Sequence, residues 1–110
     1  MSSNALKVGA TPGRTQAGPK NVRITDNAGH VDQNDVTISG QDQVVWTADT
    51  NSEVRFDSPD GSPFAQSRFQ VPARGSVSSG PVSSNAQPKR YKYTVVGEGG
   101  HNDPGVIIQR

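Results

Sequence analysis

The chain has 110 residues, which is enough for one hydrophobic core and too few for a second. It contains no cysteine, so its own residues cannot form disulfides, thiolate nucleophiles or cysteine metal sites. Its net charge of +1 hides an uneven distribution, because residues 1–25 carry four basic and no acidic side chains. Subtracting that +4 leaves −3 for residues 26–110, which indicates a basic N-terminal segment joined to a mildly acidic body.

Residues 1–20 are rich in glycine, proline and small polar side chains, and they show no periodic apolar pattern. This composition predicts a flexible basic arm, followed by one folded domain over residues 21–110. The arm has no apolar run of the kind found in signal peptides or membrane spans. We therefore expect a cytoplasmic protein that does not enter a membrane.

From Asn21 onward, short alternating or β-branched segments are separated by turn residues, and none has a helical repeat. The turn signals include DNAG at 26–29 and SPDGSP at 58–63. This pattern predicts an all-β domain, an antiparallel Greek-key sandwich or barrel of about seven or eight short strands. The predicted strands lie at 22–24, 35–39, 43–48, 53–57, 68–71, within 75–87, at 91–95 and at 106–108.

Two parts of this pattern resemble the cupredoxin family. VTISGQDQVVWTAD at 36–49, followed by EVRF at 53–56, is similar to the family's Gly-Asp pair, V-x-W strand and His-x-V-x-F strand. YKYTV at 91–95 and GVII at 105–108 resemble the closing hairpin, in which Y-x-Y-x-C opens the copper-ligand loop and M-x-G-x-V closes it. The resemblance runs from Val36 to Gln109 and implies a cupredoxin-like sandwich.

The copper ligands of that family do not survive in this chain. The resemblance places the first histidine at or next to Ser52 and Glu53, the cysteine at Val95, the second histidine near Glu98 and the axial methionine at Asp103. A blue-copper centre needs two imidazoles, one thiolate and a weak axial ligand. No residue here supplies the thiolate, so we expect no copper and no electron-transfer activity.

The segment 97–105 gathers Glu98, His101 and Asp103 where the family keeps its metal. Carboxylate oxygens and an imidazole can bind a hard or borderline ion, which would make the protein a divergent metal-binding protein. The alternative is that glycine and Asp-Pro simply build a tight connection into the last strand. We favour the alternative, because the chain has only two histidines and a closed zinc or copper site needs three or more ligands.

A basic and aromatic cluster lies just before the last hairpin, where Lys89, Arg90 and Lys92 flank Tyr91 and Tyr93. Such a cluster can bind nucleic acid. The alternation equally predicts that both tyrosines face the core while Lys92 points outward. We favour this second interpretation and expect no nucleic-acid binding.

The sequence as a whole predicts a non-catalytic binding or assembly module with a protein partner and without a cofactor. No nucleophile elbow, Ser-x-x-Lys or zinc-protease motif is present, so we do not expect an enzyme. Its oligomeric state stays open. One predicted binding surface comprises Glu98, His101, Asn102 and Asp103, together with Asp60 of the 58–63 turn. The other is the basic arm, which would become ordered on an acidic partner.

Overall fold

The computed structural model describes residues 19–39 and 42–109, and within these ranges it contains strands and no helix. The prediction of an all-β domain is therefore confirmed, with more and shorter strands than expected. The ten strands are β1 Pro19–Ile24, β2 Asp35–Ser39, β3 Gln43–Ala48, β4 Ser52–Arg55, β5 Arg68–Val71, β6 Gly75–Ser78, β7 Arg90–Lys92, β8 Thr94–Val96, β9 His101–Asn102 and β10 Gly105–Gln109.

The strands form three sheets. Their orders are β1-β3-β6, β2-β10-β7 and β5-β4-β8-β9. Two pairs are parallel, β1 with β3 and β2 with β10, which differs from the antiparallel arrangement we predicted. Alternation shows which side chains of a strand face the core, but it does not show which strand lies beside it or in which direction. Both parallel pairs join strands that are distant in the chain, as parallel pairing requires.

The core lies between the sheets and centres on Trp46, which is completely buried. Its ring centroid lies 5.2 Å from that of Phe69 and 5.6 Å from that of Tyr93. Each strand of the sequence pattern contributes alternate apolar residues, as in β3, where Val44, Trp46 and Ala48 are buried. The predicted aromatic core is confirmed, and the other buried residues of this cluster include Val22, Ile24, Val36, Ile38, Val54, Phe56, Phe64, Val71, Val95, Val106 and Ile108.

The predicted strand at 91–95 is interrupted at Tyr93 and continues as two strands in different sheets. β7 pairs with β10, whereas β8 pairs with β4. At the break, the Tyr93 amide donates to the Pro104 carbonyl at 2.9 Å. The chain thus changes sheet at this residue while the alternation of buried side chains continues, so the sequence pattern carries no sign of the break.

Two further boundaries differ from the sequence prediction. His101–Asn102, predicted as part of a loop, forms β9 at the edge of the third sheet. β1 begins at Pro19, so the predicted boundary after residue 20 falls inside a strand. The rest of the predicted arm, 1–18, lies outside the described residues. Among the described residues there is no helix of the length and apolarity that crossing a membrane would take.

Candidate functional site

Four turns meet at one end of the domain, at 25–30, 49–51, 72–74 and 97–100, and we call them the loop end. Hydrogen bonds join them in two pairs, 25–30 with 97–100 and 49–51 with 72–74, and the pairing of Glu53 with Val96 brings the two pairs side by side. The Gly99 amide donates to the Asn27 carbonyl and the Arg74 amide to the Ala48 carbonyl, each at 2.8 Å. The Ala73 amide donates to the side-chain oxygen of Asn51 at 2.9 Å. The turns therefore support one another and form one surface.

The turn at 25–30 is organised by Asp26. One carboxylate oxygen accepts from the amides of Ala28 and His30, at 2.9 and 3.2 Å, and the other lies 2.8 Å from His30 Nδ1. The hydrogen bond with the His30 side chain, followed by that with the Ala28 amide, holds the pKa of Asp26 below its usual range. Asp26 therefore presents a negative charge at the loop end at neutral pH, and His30 serves to orient it.

Glycines let the turns at 25–30 and 97–100 approach closely. A Cβ atom on Gly97 would lie 2.1 Å from the Asn27 carbonyl oxygen. A Cβ atom on Gly29 would lie 2.3 Å from the Val95 carbonyl oxygen, and Gly29 also has a φ of +83°. A side chain at Gly97 would push the two turns apart, and one at Gly29 would push the 25–30 turn away from β8 and β9. Glycine at both positions thus holds the 25–30 turn against the β8–β9 hairpin.

Two of the positions that the cupredoxin resemblance assigns to copper ligands, Ser52/Glu53 and Val95, lie on the neighbouring strands β4 and β8. Val54 of β4 is paired with Val95 of β8, and Glu53 is paired with Val96. Val95 is completely buried and apolar. The Glu53 carboxylate accepts hydrogen bonds from Arg55 and Gln70. A blue-copper centre requires a thiolate and two imidazoles, so these residues do not fit one.

The predicted binding residues after β8 spread along the β8–β9 hairpin. Glu98 is exposed and lines a shallow concavity of about 200 Å³ together with Asn51, Ser52, Glu53, Gln70, Val96 and Gly97. His101 is exposed opposite Val96, and Asn102 is half-buried opposite Val95. Asp103 lies at the far end of the hairpin, where it accepts a hydrogen bond from the Thr94 hydroxyl at 2.7 Å.

The metal-site hypothesis requires Glu98, His101 and Asp103 to converge. Within 19–39 and 42–109 there is no group of three or more histidine, aspartate or glutamate side chains placed to hold one ion. Glu98 belongs to the turn at the loop end, whereas Asp103 is hydrogen-bonded to Thr94 and lies 3.8 Å from Lys92 Nζ. The hairpin therefore separates the ligands that the sequence pattern places together.

Asp60 lies beside β7, away from the four turns. Its carboxylate is 3.2 Å from Lys89 Nζ. The other two cations of the basic cluster are also paired, Arg90 with Asp35 at 2.8 Å and Lys92 with Asp103 at 3.8 Å. Tyr91 and Tyr93 are buried, which confirms the core-facing interpretation. These ion pairs neutralise the positive charge that nucleic-acid binding would use.

A second concavity at the loop end, of about 390 Å³, was not predicted from the sequence. Its lining includes Arg23 of β1 and Arg74 of the 72–74 turn. The two arginines are separated by 50 residues in the chain, and each lies in a segment whose sequence predicts only a strand or a turn. The pairing of β1 with β3, and the contact of the 72–74 turn with Ala48, bring them together.

No family model, curated protein or solved structure matches this chain. Its function is therefore inferred from the chemistry and arrangement of its own residues.

Proposed function

We propose that this protein is a non-catalytic, copper-free, cupredoxin-like binding or assembly module whose working surface is the loop end. The observation that carries the proposal is the support of the four turns in two hydrogen-bonded pairs, which display exposed polar side chains on an ordered frame. A surface that is already ordered loses little conformational entropy when a partner binds. Recognition is therefore the activity that this end of the domain suits best.

The charges of the loop end indicate the kind of partner. Asp26, Asp49 and Glu98 are exposed there, and Glu53 is half-buried beside Glu98. The lowered pKa of Asp26 keeps its carboxylate ionised at neutral pH. A protein with a basic surface patch would complement this group, because opposite charges steer association and select the partner.

The cupredoxin-like part of the proposal has support in the pairing of the quoted segments. The EVRF segment contributes β4, the YKYTV segment contributes β8, and these two strands are neighbours through the Val54–Val95 pair. The resemblance implies this adjacency for the positions of its first histidine and its cysteine. The positions of its second histidine and axial methionine, near Glu98 and at Asp103, lie at different ends of the β8–β9 hairpin. In this chain Val95 replaces the thiolate, so the frame is kept for recognition.

The test is co-purification from the native source's lysate with three forms of the full chain. Glu98→Lys reverses a charge at the loop end, whereas Asp60→Lys makes the same change beside β7 and serves as the matched control. We expect a protein partner to be retained by the unaltered chain and by Asp60→Lys, and to be lost with Glu98→Lys. Equal retention by both variants, or no retained partner at all, would contradict the proposal.

Metal analysis of the purified, untagged protein tests the copper-free part separately. We expect no stoichiometric copper or zinc. Stoichiometric metal that disappears in His101→Ala would instead establish the divergent metal-binding function, with His101 as a ligand.

A further inference from the structure

The concavity at Arg23 and Arg74 has features that the proposed protein-binding surface does not use. It lies near one end of the first sheet, where Arg23, Thr47 and Ser76 stand side by side on β1, β3 and β6, one position before the last paired row. Directly paired residues project from the same face of a sheet. The volume of about 390 Å³ holds a small anion with several waters.

Arg74 has an unusual backbone conformation. It is the third residue of the turn from Pro72 to Gly75, which is closed by a 3.0 Å hydrogen bond from the Gly75 amide to the Pro72 carbonyl. Its φ is +57°, and no other described residue except glycine has a positive φ. For a residue with a side chain this conformation costs about 1–2 kcal/mol. Such strain is concentrated at functional sites, and here it fixes where the Arg74 side chain begins.

The arginines offer many unused hydrogen-bond donors. Arg23 uses one guanidinium nitrogen for Asp49, at 2.8 Å, in a pair whose side chains are 56% and 68% exposed. A guanidinium carries five N–H donors, so most of those on Arg23 stay available. The side chain of Arg74 makes no ion pair or hydrogen bond with another described residue, and the same holds for the hydroxyls of Thr47 and Ser76.

We propose that this concavity is a binding site for a phosphate oxyanion, either inorganic phosphate or the phosphoryl group of a phosphomonoester. The concavity contains the guanidinium groups of Arg23 and Arg74 and one carboxylate, that of Asp49, so its net charge is positive. The planar donor fork of arginine matches the oxygen spacing of phosphate. A phosphate has enough oxygens to contact Arg23, Arg74 and a hydroxyl at once. A carboxylate has two oxygens and satisfies a single fork, so the spread of donors favours phosphate.

The concavity lies at the loop end and shares Asp49 with the proposed protein-binding surface. It is therefore tested without a partner, so that its failure and the failure of the protein-binding proposal can be distinguished. Amide chemical shifts of the full chain are followed by NMR during titration with inorganic phosphate and, separately, phenyl phosphate, at constant ionic strength. We expect saturable shifts at Thr47, Arg74, Gly75 and Ser76. Tighter binding of phenyl phosphate would identify a phosphomonoester as the ligand, and tighter binding of inorganic phosphate would identify the free anion; either result supports the site.

Matched variants separate a site from general attraction to positive charge. Arg74→Ala should weaken phosphate binding about tenfold or more, because charge-assisted hydrogen bonds are lost. Arg74→Gly should do the same while fitting the left-handed backbone, so that misfolding cannot explain the loss. Arg68→Ala removes the same charge from an exposed position on β5 and should leave binding unchanged. Equal weakening by Arg68→Ala, shifts that do not saturate, or equal binding of acetate would overturn the proposal.

Discussion

The Trp46 indole is completely buried, and its N–H donates to the Tyr93 hydroxyl at 3.2 Å. A buried donor without a partner costs more free energy than its hydrogen bond contributes. This bond therefore specifies how the two largest buried side chains of the core are placed relative to each other.

We expect Tyr93→Phe to lower the free energy of unfolding by about 1–3 kcal/mol, because the Trp46 N–H loses its acceptor in the core. The measurement is urea denaturation followed by Trp46 fluorescence. Tyr91→Phe is the control. Among the described residues its hydroxyl bonds only to the backbone of Gln87, an exposed residue whose groups can turn to water, so this change should cost less. An equal or larger loss in Tyr91→Phe would contradict the assignment.

The same tyrosine should make the protein sensitive to alkali. Burial raises the pKa of Tyr93 to about 12 from 10.0, against the smaller opposing effect of the Trp46 hydrogen bond. The folded state therefore holds the Tyr93 proton at a pH where the unfolded state releases it. The corresponding stability is complete below pH 10 and is lost as the pH rises to about 12, by about 3 kcal/mol in total.

Thermal unfolding between pH 8 and pH 12 measures this loss. The unaltered chain should lose stability steeply above about pH 10, and Tyr93→Phe should lose less over the same range. Identical pH profiles for the two proteins would mean that Tyr93 does not carry the effect.

For individual residues, the sequence pattern predicts correctly which ones form the core, but it does not predict which ones are important at the loop end. Trp46, Phe56, Phe64 and Phe69 are core residues as predicted, because large apolar side chains have few other places to go. The strain at Arg74 could not be predicted. A left-handed residue in this turn would be expected at Gly75, and the shape of the turn places it one residue earlier.

The two interlocked turns at 25–30 and 97–100 form the part of the loop end that depends most on close backbone approach. We expect Gly97→Ala to destabilise the protein by about 1–3 kcal/mol, because the new methyl group meets the Asn27 backbone. The Gly99 amide, which bonds to Asn27, should then exchange with solvent faster. Hydrogen exchange followed by NMR measures this rate.

Gly105→Ala is the control for this change, because its added methyl meets the end of the Arg90 side chain, which can move. It should leave the exchange of Gly99 unaltered. If the Gly99 amide exchanges as slowly in Gly97→Ala as in the unaltered chain, the two turns do not depend on each other.

Strands were predicted correctly where a segment of alternating buried and exposed residues stays within one sheet. The prediction failed where such a segment passes from one sheet to another. β2, β3 and β5 have the predicted bounds. Tyr93 breaks the predicted 91–95 strand without interrupting its alternation, so no local signal marks the break. β9 has two residues, and it forms because β8 offers an edge rather than because its own sequence favours a strand.

β1 is the first strand of the described residues, and its position matters for any truncation. Because the composition of residues 1–18 predicts a flexible arm, we expect their deletion to leave the free energy of unfolding almost unchanged. Deleting residues 1–25 should lower it by about 3–6 kcal/mol, because Val22 and Ile24 are fully buried and β3 loses its parallel partner. Urea denaturation of the two truncated proteins measures the difference. Equal stability of both would contradict the placement of β1 in the body.

The amino-acid sequence alone established the class of the molecule: an all-β domain with its aromatic residues inside. Periodicity is a local property, and burial of alternate side chains follows from it wherever a strand forms. The resemblance to cupredoxins adds the proposal of a cupredoxin-like sandwich and the expectation of a missing copper site.

Which residues share a surface was decided by the tertiary fold. The parallel pairing of β1 with β3 brings Arg23 to Arg74, and the extent of the β8–β9 hairpin keeps Glu98 apart from Asp103. Neither placement follows from local patterns, because contacts between distant segments depend on which strands pair and in what direction. Side chains that are close in sequence were thus separated, and the side chains of Arg23 and Arg74, 51 positions apart, came to line one concavity.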